Sequence, residues 1–389
     1  MDNLRVEDLA LQRKRFAHLS DDEFRFMLQQ VDGRQRTRDK LPTFAEIEDW
    51  WYPVRLSCEQ CSSELTARYK AGLIQPIVQQ PFTLVDLTGG YGVDTFFLSE
   101  YATEAHYVER NEELCRIVTH NFRQTRPQVQ IHNTDSLDYL RDMPTCDIIY
   151  IDPARRDQHG GKVFRLEDCE PNVIDALPTL RSKSSSIIIK LSPMLDITQA
   201  LHSLKGAWDV HIVAVKNEVK EVLLVSHKTE QECHIHAVNL PNTDAFTFTQ
   251  EEEKTLPIPT FADLTPLQVE SRYGLIYEPN AAIIKAGAFK LVAKRYGLRK
   301  MAPNTHLYLS DQLVEDFPGR VWRIIATDLK KHKDIRANIM TRNYPLTPEQ
   351  LRKKLKVKDS DTYTIIGARL GDKPCLFLAE RIDQHAASR

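Results

Sequence analysis

A chain of 389 residues is longer than one hydrophobic core normally serves, so two or more domains are expected. A hydrophobic share of 42%, a charged share of 27% and a formal net charge of -2 exclude a uniformly basic nucleic-acid binder, while leaving room for local charged patches. No apolar run approaches a membrane span, the opening MDNLRVEDLALQRKR lacks the apolar core of a signal peptide, and seven cysteines lie scattered, so a cytoplasmic protein with reduced thiols is expected.

Residues 1–75 read as an N-terminal helical region. Ser20 or Asp21 can cap DDEFRFMLQQV, whose apolar residues recur at helical spacing. Pro42 and Pro53 punctuate the stretch after it, and EQCSSELTARYKAGLI reads as one helix leading into the sheet region. Cys58 and Cys61 form a C-x-x-C, but no second closely spaced cysteine pair exists, and His234 and His236 fit an alternating strand. No metal site is expected.

From 76 to 228 strand and helix patterns alternate. FTLVDLT, AHYVER, VQIHNTD, CDIIYIDP and SSIIIKLSP are short apolar runs with helical stretches between them, the mark of a parallel sheet covered on both faces. WDVHIVAVKN and EVKEVLLVSH then form a hairpin, with Asn217 and Glu218 between them. The expected class is α/β, a Rossmann-like sheet of seven strands. Residues 229–315 read as a connector with a helix, or as a small α+β unit of ferredoxin-like kind. In it, EPNAAIIKAGAFKLVAKRYGL places Pro279 in a helical first turn and Gly297 as the stop. Residues 316–389 read as a small basic α+β module, with Gly371 and Asp372 turning a final hairpin.

Chemistry concentrates at the ends of the parallel strands. The segment LVDLTGGYGVD supplies Asp86, Thr88, Gly89, Gly90, Gly92 and Asp94 where the first strand turns into a helix, and glycines there let backbone N–H groups approach a ligand. Glu109 ends the second strand, 23 residues after Asp86, where a carboxylate suits ribose hydroxyls; Asp135, followed by Ser136, ends the third, where a polar side chain meets adenine. The turn is not G-x-G-x-x-G, and an acid precedes it. A pyrophosphate is repelled by a carboxylate, whereas S-adenosylmethionine (SAM) carries a sulfonium and an ammonium that carboxylates attract, so SAM is the expected cofactor.

The fourth strand delivers Asp152 and Pro153, the candidate catalytic pair, where many enzymes that methylate nucleobase amines carry an Asp/Asn-Pro-Pro-aromatic turn. Asp152 can accept a hydrogen bond from an amine and aim its lone pair, while Ala154 and Arg155 replace the second proline and the aromatic. After the fifth strand stand Ser192 and Pro193 with no cysteine, which disfavours methylation at uridine C5. Arg155, Arg156, Lys162 and Arg165 are candidates to clamp a phosphorylated substrate, and Gln60, Ser62, Ser63 and Glu64 to close over the methionine end of SAM.

With DLTGGYGVDTFFLS, EQCSSELTARYKA, YIDPARRD, GGKVFRLEDCEP, IKLSPMLD, NEVKEVLL and YEPNAAIIKAG in view, the chain resembles bacterial class I SAM-dependent methyltransferases with a C-terminal THUMP-like domain, from about residue 40 to its end. The resemblance implies an RNA partner, with rRNA and tRNA both open, and the turn at Asp152 points to methylation of a base nitrogen. Between Val321 and Lys358 the cluster that includes Lys330, Lys331, Lys333, Arg352, Lys353 and Lys354 is an electrostatic footprint for phosphates. Two rivals remain at this level: a small-molecule or protein methyltransferase, and a noncatalytic RNA-binding protein on a degenerate methyltransferase fold.

Overall fold

The computed structural model describes residues 6–78, 80–155, 166–226, 232–257, 264–329 and 335–383. The chain divides into two compact units. The first comprises Met1–Lys216, Lys220–Cys233 and Leu240–Thr243, and the second Asn217–Val219, His234–Asn239 and Asp244–Arg389.

In the first unit, helix α1 (Asp21–Thr37) opens with a capping box. Ser20 Oγ accepts from Glu23 N, and the Glu23 carboxylate accepts from Ser20 N at 2.8 Å. The single helix expected across EQCSSELTARYKAGLI is in fact two, Arg55–Gln60 and α2 (Glu64–Gly72). Ser63 sits extended between them and its hydroxyl accepts from Thr66 N at 3.3 Å, so a capping side chain starts a fresh helix where periodicity alone reads continuity. The break leaves Ser62 buried, bonded to Asp94.

The sheet of this unit is built from β1 (Phe82–Asp86), β2 (Ala102–Glu109), β3 (Val129–Asn133), β4 (Cys146–Ile151), β5 (Ser184–Leu191), β6 (Trp208–Val215) and β7 (Glu218–Ser226). Their order is β3-β2-β1-β4-β5-β7-β6. Strands β1 to β5 pair in parallel and β7 lies antiparallel to β5. Leu84, Val85, Ile148, Ile149, Ile188 and Ile189 are all buried, because helices cover both faces and a polar side in the middle of a strand would lose its water. Lys216 and Asn217, both at positive φ, turn β6 into β7.

Helices α3 (Val93–Leu98), α4 (Glu112–Thr125), α5 (Ser136–Asp142), α6 (Val173–Lys183) and α7 (Ile197–Leu204) follow the strands. Asn111, Asp135, Asn172 and Asp196 cap α4 to α7, each accepting a backbone N–H of its own first turn. Strand order reverses between β1 and β4, so the crevice for a ligand falls at the carboxyl ends of these strands.

The second unit begins with neighbouring strands β8 (His234–Leu240) and β9 (Asn242–Thr249). After α8 (Pro266–Arg272), Pro279 ends strand β10 (Leu275–Pro279) rather than opening a helix. Asn280 is the cap: its side chain accepts from Ile283 N at 3.0 Å and starts α9 (Ala281–Ala286). Gly287, at φ 76°, stops α9 before α10 (Phe289–Arg295), so the one long helix read from the sequence is two short ones.

The remaining elements are β11 (Arg299–Ala302), β12 (Thr305–Ser310), β13 (Gly319–Ala326), β14 (Asn338–Arg342), α11 (Pro348–Leu355), β15 (Tyr363–Leu370) and β16 (Lys373–Ile382). With β10 they make one sheet of order β11-β12-β10-β13-β16-β15-β14, drawing strands from both sides of residue 316. Neighbouring Ile365 and Ile366 point to opposite faces of it. Ile366 joins a core with Val269 of α8, and Ile365 joins a second core with Leu351 of α11. Among the described residues no helix is long and apolar enough to cross a membrane.

Candidate active site

A cavity of about 530 Å³ opens over the carboxyl ends of β1, β2, β3 and β4. The β1–α3 turn contributes Leu87, Thr88, Gly89 and Gly90 to its lining, and β2 holds that turn. Tyr107 Oη donates to Gly90 O at 2.6 Å, and Gly90 N donates to the Glu109 carboxylate at 3.0 Å. A Cβ on Gly89 would lie 2.1 Å from the Tyr107 ring, so that glycine is demanded by packing from below. Gly90, at φ 54°, has only Thr88 O within 4 Å of a built Cβ, so the space beside it is open.

Of the residues read from the sequence as cofactor-binding, Thr88, Gly89, Gly90, Asp94, Glu109, Asp135 and Ser136 line the cavity. The second Glu109 oxygen accepts from Asn111 N at 2.8 Å, and Asp135 accepts from Leu137 N at 2.8 Å, so both carboxylates are oriented by backbone. Gly92 and Asp86 are not on the wall. Gly92, at φ 79°, packs towards Val118 and Phe122. Asp86 is fully buried behind the turn, accepting from Thr88 N at 2.9 Å and from Thr95 Oγ1 at 2.6 Å. Burial pushes its carboxyl up to about 7, against the pull of those two hydrogen bonds. Asp86 therefore shapes the turn from inside and stands off the cavity wall.

A chain of alternating charges runs along the other wall. Lys70 of α2, wholly buried, donates to both oxygens of Glu221 on β7 at 2.7 Å and stands 3.2 Å from Asp94 Oδ1. Asp94 Oδ2 accepts from Ser62 Oγ and Tyr150 Oη, each at 2.8 Å, with Lys190 of β5 at 3.7 Å. Burial alone would raise the Asp94 carboxyl, but Lys70 and Lys190, with the two hydroxyls, hold it below the usual range. Lys190 in turn ion-pairs with Asp152. Asp152 N donates to Thr88 Oγ1 at 2.6 Å, which ties the acceptor edge to the glycine turn.

Asp152 lines the cavity and Pro153 does not. Gln60 and Ser62 line it too, whereas Ser63 caps α2 and Glu64 bonds Thr43 and Arg68. The Arg155 side chain and Arg156, Lys162 and Arg165 lie outside the described residues. A short ladder pairs Ala154 with Glu170 and Arg155 with Cys169, and Glu170 accepts from Arg110 at 2.9 Å, both of that pair on the cavity wall.

Sequence reasoning missed Lys70, Lys190 and Glu221. The available signal was a charged residue inside an apolar run, as in SIIIKLSP and KEVLLV. Nothing local announced Glu170, Asn172 or Asp175, which reach the cavity only because the chain returns to it after β4.

Among the described residues the lining carries six carboxylates (Asp94, Glu109, Asp135, Asp152, Glu170, Asp175) and two cations, Arg110 and Lys190. Such a wall repels phosphate and attracts a cation. Asp94 Oδ1, buried, makes no well-aligned hydrogen bond among the described residues, and the Lys70 ammonium 3.2 Å away answers its charge. The donor set thus fits a ligand with positive charge at one end and hydroxyls for Glu109 at the other.

Over 94% of its length the chain is 35% identical to a protein from Porphyromonas gingivalis, provisionally named a methyltransferase, whose crystal structure superposes with a TM-score of 0.83 over 92% of that chain. Residues 275–318 match a family described as a ferredoxin-like domain, and residues 319–381 one described as THUMP domain-like. The chain belongs to the class I SAM-dependent methyltransferases that end in a THUMP-like domain. Two proteins from strains of Mycobacterium tuberculosis, named uncharacterized S-adenosylmethionine-dependent methyltransferases, are each 20% identical over 87% of this chain and 90% of their own. In this methyltransferase the cofactor is SAM, which supplies an electrophilic methyl group on a positively charged sulfur. The anionic wall is the chemical complement of that charge.

Proposed function

We propose that the protein methylates RNA at a base amino nitrogen, with Glu109 accepting the ribose hydroxyls of SAM, Asp135 and Ser136 beside its adenine, Asp94 facing its ammonium and Asp152 positioning the acceptor. Supporting the base as target is the charge of the cavity. Carboxylates outnumber cations among the described lining residues, which disfavours a phosphate deep in the cavity, while a neutral base with N–H donors is welcome beside Asp152.

The observation that carries the RNA reading lies in the THUMP-like region. Lys353, Lys354, Lys356 and Lys358 are exposed there, and among the described residues no carboxylate pairs with them. Unpaired surface cations release counterions when a polyanion binds. Arg336, backbone-bridged to Lys358, adds to the patch, while Arg352 is engaged by Asp359. Lys330, Lys331 and Lys333 lie outside the described residues.

The deciding experiment compares methylated nucleosides, by mass spectrometry of total RNA, in cells with and without this gene. Loss of one N-methylated nucleoside in the deletion is expected. An unchanged profile, with labelled methyl groups entering protein or small molecules instead, would sink the RNA reading.

A further inference from the structure

Lys190 is the cation at the centre of the active site. It stands on β5 beside β4, and its side chain, 14% exposed, lines the cavity. Its ammonium pairs with Asp152, lies 3.7 Å from Asp94 Oδ2 and donates to Ser62 Oγ at 3.4 Å. Burial would favour the neutral amine, yet Asp152, Asp94 and Glu221 outweigh it and hold the proton on Lys190 well beyond the usual lysine range. The lysine is therefore a permanent donor facing the carboxylate of a residue whose own backbone N–H is tied to Thr88 Oγ1.

We propose that Lys190 is a positioning residue for the methyl acceptor: it fixes the Asp152 carboxylate as a group that only accepts hydrogen bonds, and so makes the site select an amino nitrogen over a hydroxyl oxygen. This rests on the reading of Asp152 as the acceptor edge. A carboxylate held by an ammonium on one oxygen keeps its remaining lone pairs to receive an N–H, and its fixed orientation sets where the nitrogen lone pair points. In the transfer, the lone pair forms the N–C bond while the donor's S–C bond breaks and its electron pair stays on sulfur. The extra N–H proton leaves along its hydrogen bond to Asp152 and passes to water.

The clamp decides which acceptors work. The nitrogen of an aromatic amine that has gained a methyl group and become cationic is a stronger acid than a carboxylic acid, so even a lysine-bound carboxylate can take its proton. A hydroxyl is a far weaker acid and needs a stronger base during the transfer. An ammonium held against Asp152 opposes that role, because taking up a full proton would cost the carboxylate its ion pair with Lys190.

The test compares wild type with Lys190→Met and Lys190→Arg. SAM affinity by calorimetry should change far less than the rate in both, since Lys190 reaches the cofactor's neighbours Asp94 and Ser62 only at 3.7 and 3.4 Å. Transfer of labelled methyl from saturating SAM into a lysate of cells lacking this gene should fall on the order of 100-fold in Lys190→Met, and recover about tenfold of that in Lys190→Arg, because a misplaced acceptor loses its alignment. The labelled product should carry its methyl on an amino nitrogen.

A wild-type rate in Lys190→Met would overturn the proposal. So would a loss of SAM affinity as large as the loss of rate, which makes Lys190 a cofactor ligand, or a methyl found on a hydroxyl oxygen. Should Lys190→Met lower the melting temperature enough to unfold, Lys190→Gln, which keeps a donor without the charge, carries the same comparison. Label removed by protease but not by nuclease defeats the RNA reading alone, and the Met, Gln and Arg rates still decide the role of Lys190.

Discussion

In the first unit Lys70, Asp94 and Glu221 are 0%, 9% and 4% exposed and answer one another within 3.2 Å, whereas in the second Lys353, Lys354, Lys356 and Lys358 stand in solvent without a carboxylate partner among the described residues. Where the second unit buries a carboxylate, at Glu278, Arg320 and Arg342 answer it from positions about a third exposed, and its buried Lys300 ammonium donates to Pro303 O. Buried charges tolerate no missing partner, so they are set in one geometry. Surface charges keep their water and their freedom, which suits a long flexible polyanion better than a small cofactor. The two units thus use the same side chains for opposite ends, one for placement and the other for attraction.

Removing a buried member should have the largest effect. Lys70→Met leaves Glu221 without its ammonium and Asp94 with only Lys190 and two hydroxyls, and should cost about 3–5 kcal/mol in denaturant unfolding of the first unit. Taking Glu221 away as well, as Leu, should restore more than half of that loss. A single mutant as stable as wild type would mean that solvent reaches this network and that the contrast between the units is false.

Asp86 sharpens the comparison through pH. Its folded carboxyl titrates near 7, above the unfolded range, so the folded state binds the proton more tightly. The stability it contributes is present at low pH and is lost as pH rises through the window from about 4 to 7. Asp86→Asn has no proton to lose, so its stability relative to wild type should climb across that window by on the order of 4 kcal/mol. A difference that stays flat between about pH 5 and pH 8 would show that this carboxyl does not titrate there.

A smaller change is expected at the cavity wall. Glu109→Gln keeps an acceptor for Gly90 N but loses the charge, and should weaken SAM binding roughly tenfold, since a hydrogen bond to a charged group is worth about 1.5–3 kcal/mol. An analogue without ribose hydroxyls should be insensitive to the change; equal sensitivity would move Glu109 away from the ribose.

The smallest effect belongs to the exposed patch. Exchanging Lys353, Lys354 and Lys356 for Gln should leave SAM affinity and folding unchanged, and make the logarithmic salt slope of RNA binding shallower by up to about 0.7 per lost contact. A slope identical to wild type would reduce the patch to a solvated helix face.

Much of the first unit could be read directly. Apolar runs such as CDIIYIDP and SSIIIKLSP are strands because only a strand buried on both faces is apolar at every position, and β4 and β5 lie there. Glu109, Asp135 and Asp152 were visible because a parallel sheet delivers strand ends to one edge, and all three line the cavity. In the second unit the reading was poorer. Pro279 sits in EPNAAIIKAG, where a proline before a helical pattern suggests a first turn, but pairing of Pro279 with Gly319, forty residues on, makes it the end of a strand.

What the sequence determined by itself, then, is whatever depends on neighbours in the chain: strand and helix periods, the capping residues, the glycine turn, and the order of acids along strand ends. What only the tertiary structure decided is which of those groups face the ligand. Asp86 and Glu109 are both acids at the ends of adjacent strands, yet one is sealed against Thr88 and Thr95 and the other opens to the cavity. Lys70 and Glu221, 151 residues apart, became partners only when α2 met β7, and Lys190 became the clamp of Asp152 only when β5 took its place beside β4. Desolvation and pairing are properties of three-dimensional surroundings, and those come from pieces of chain that no local pattern joins.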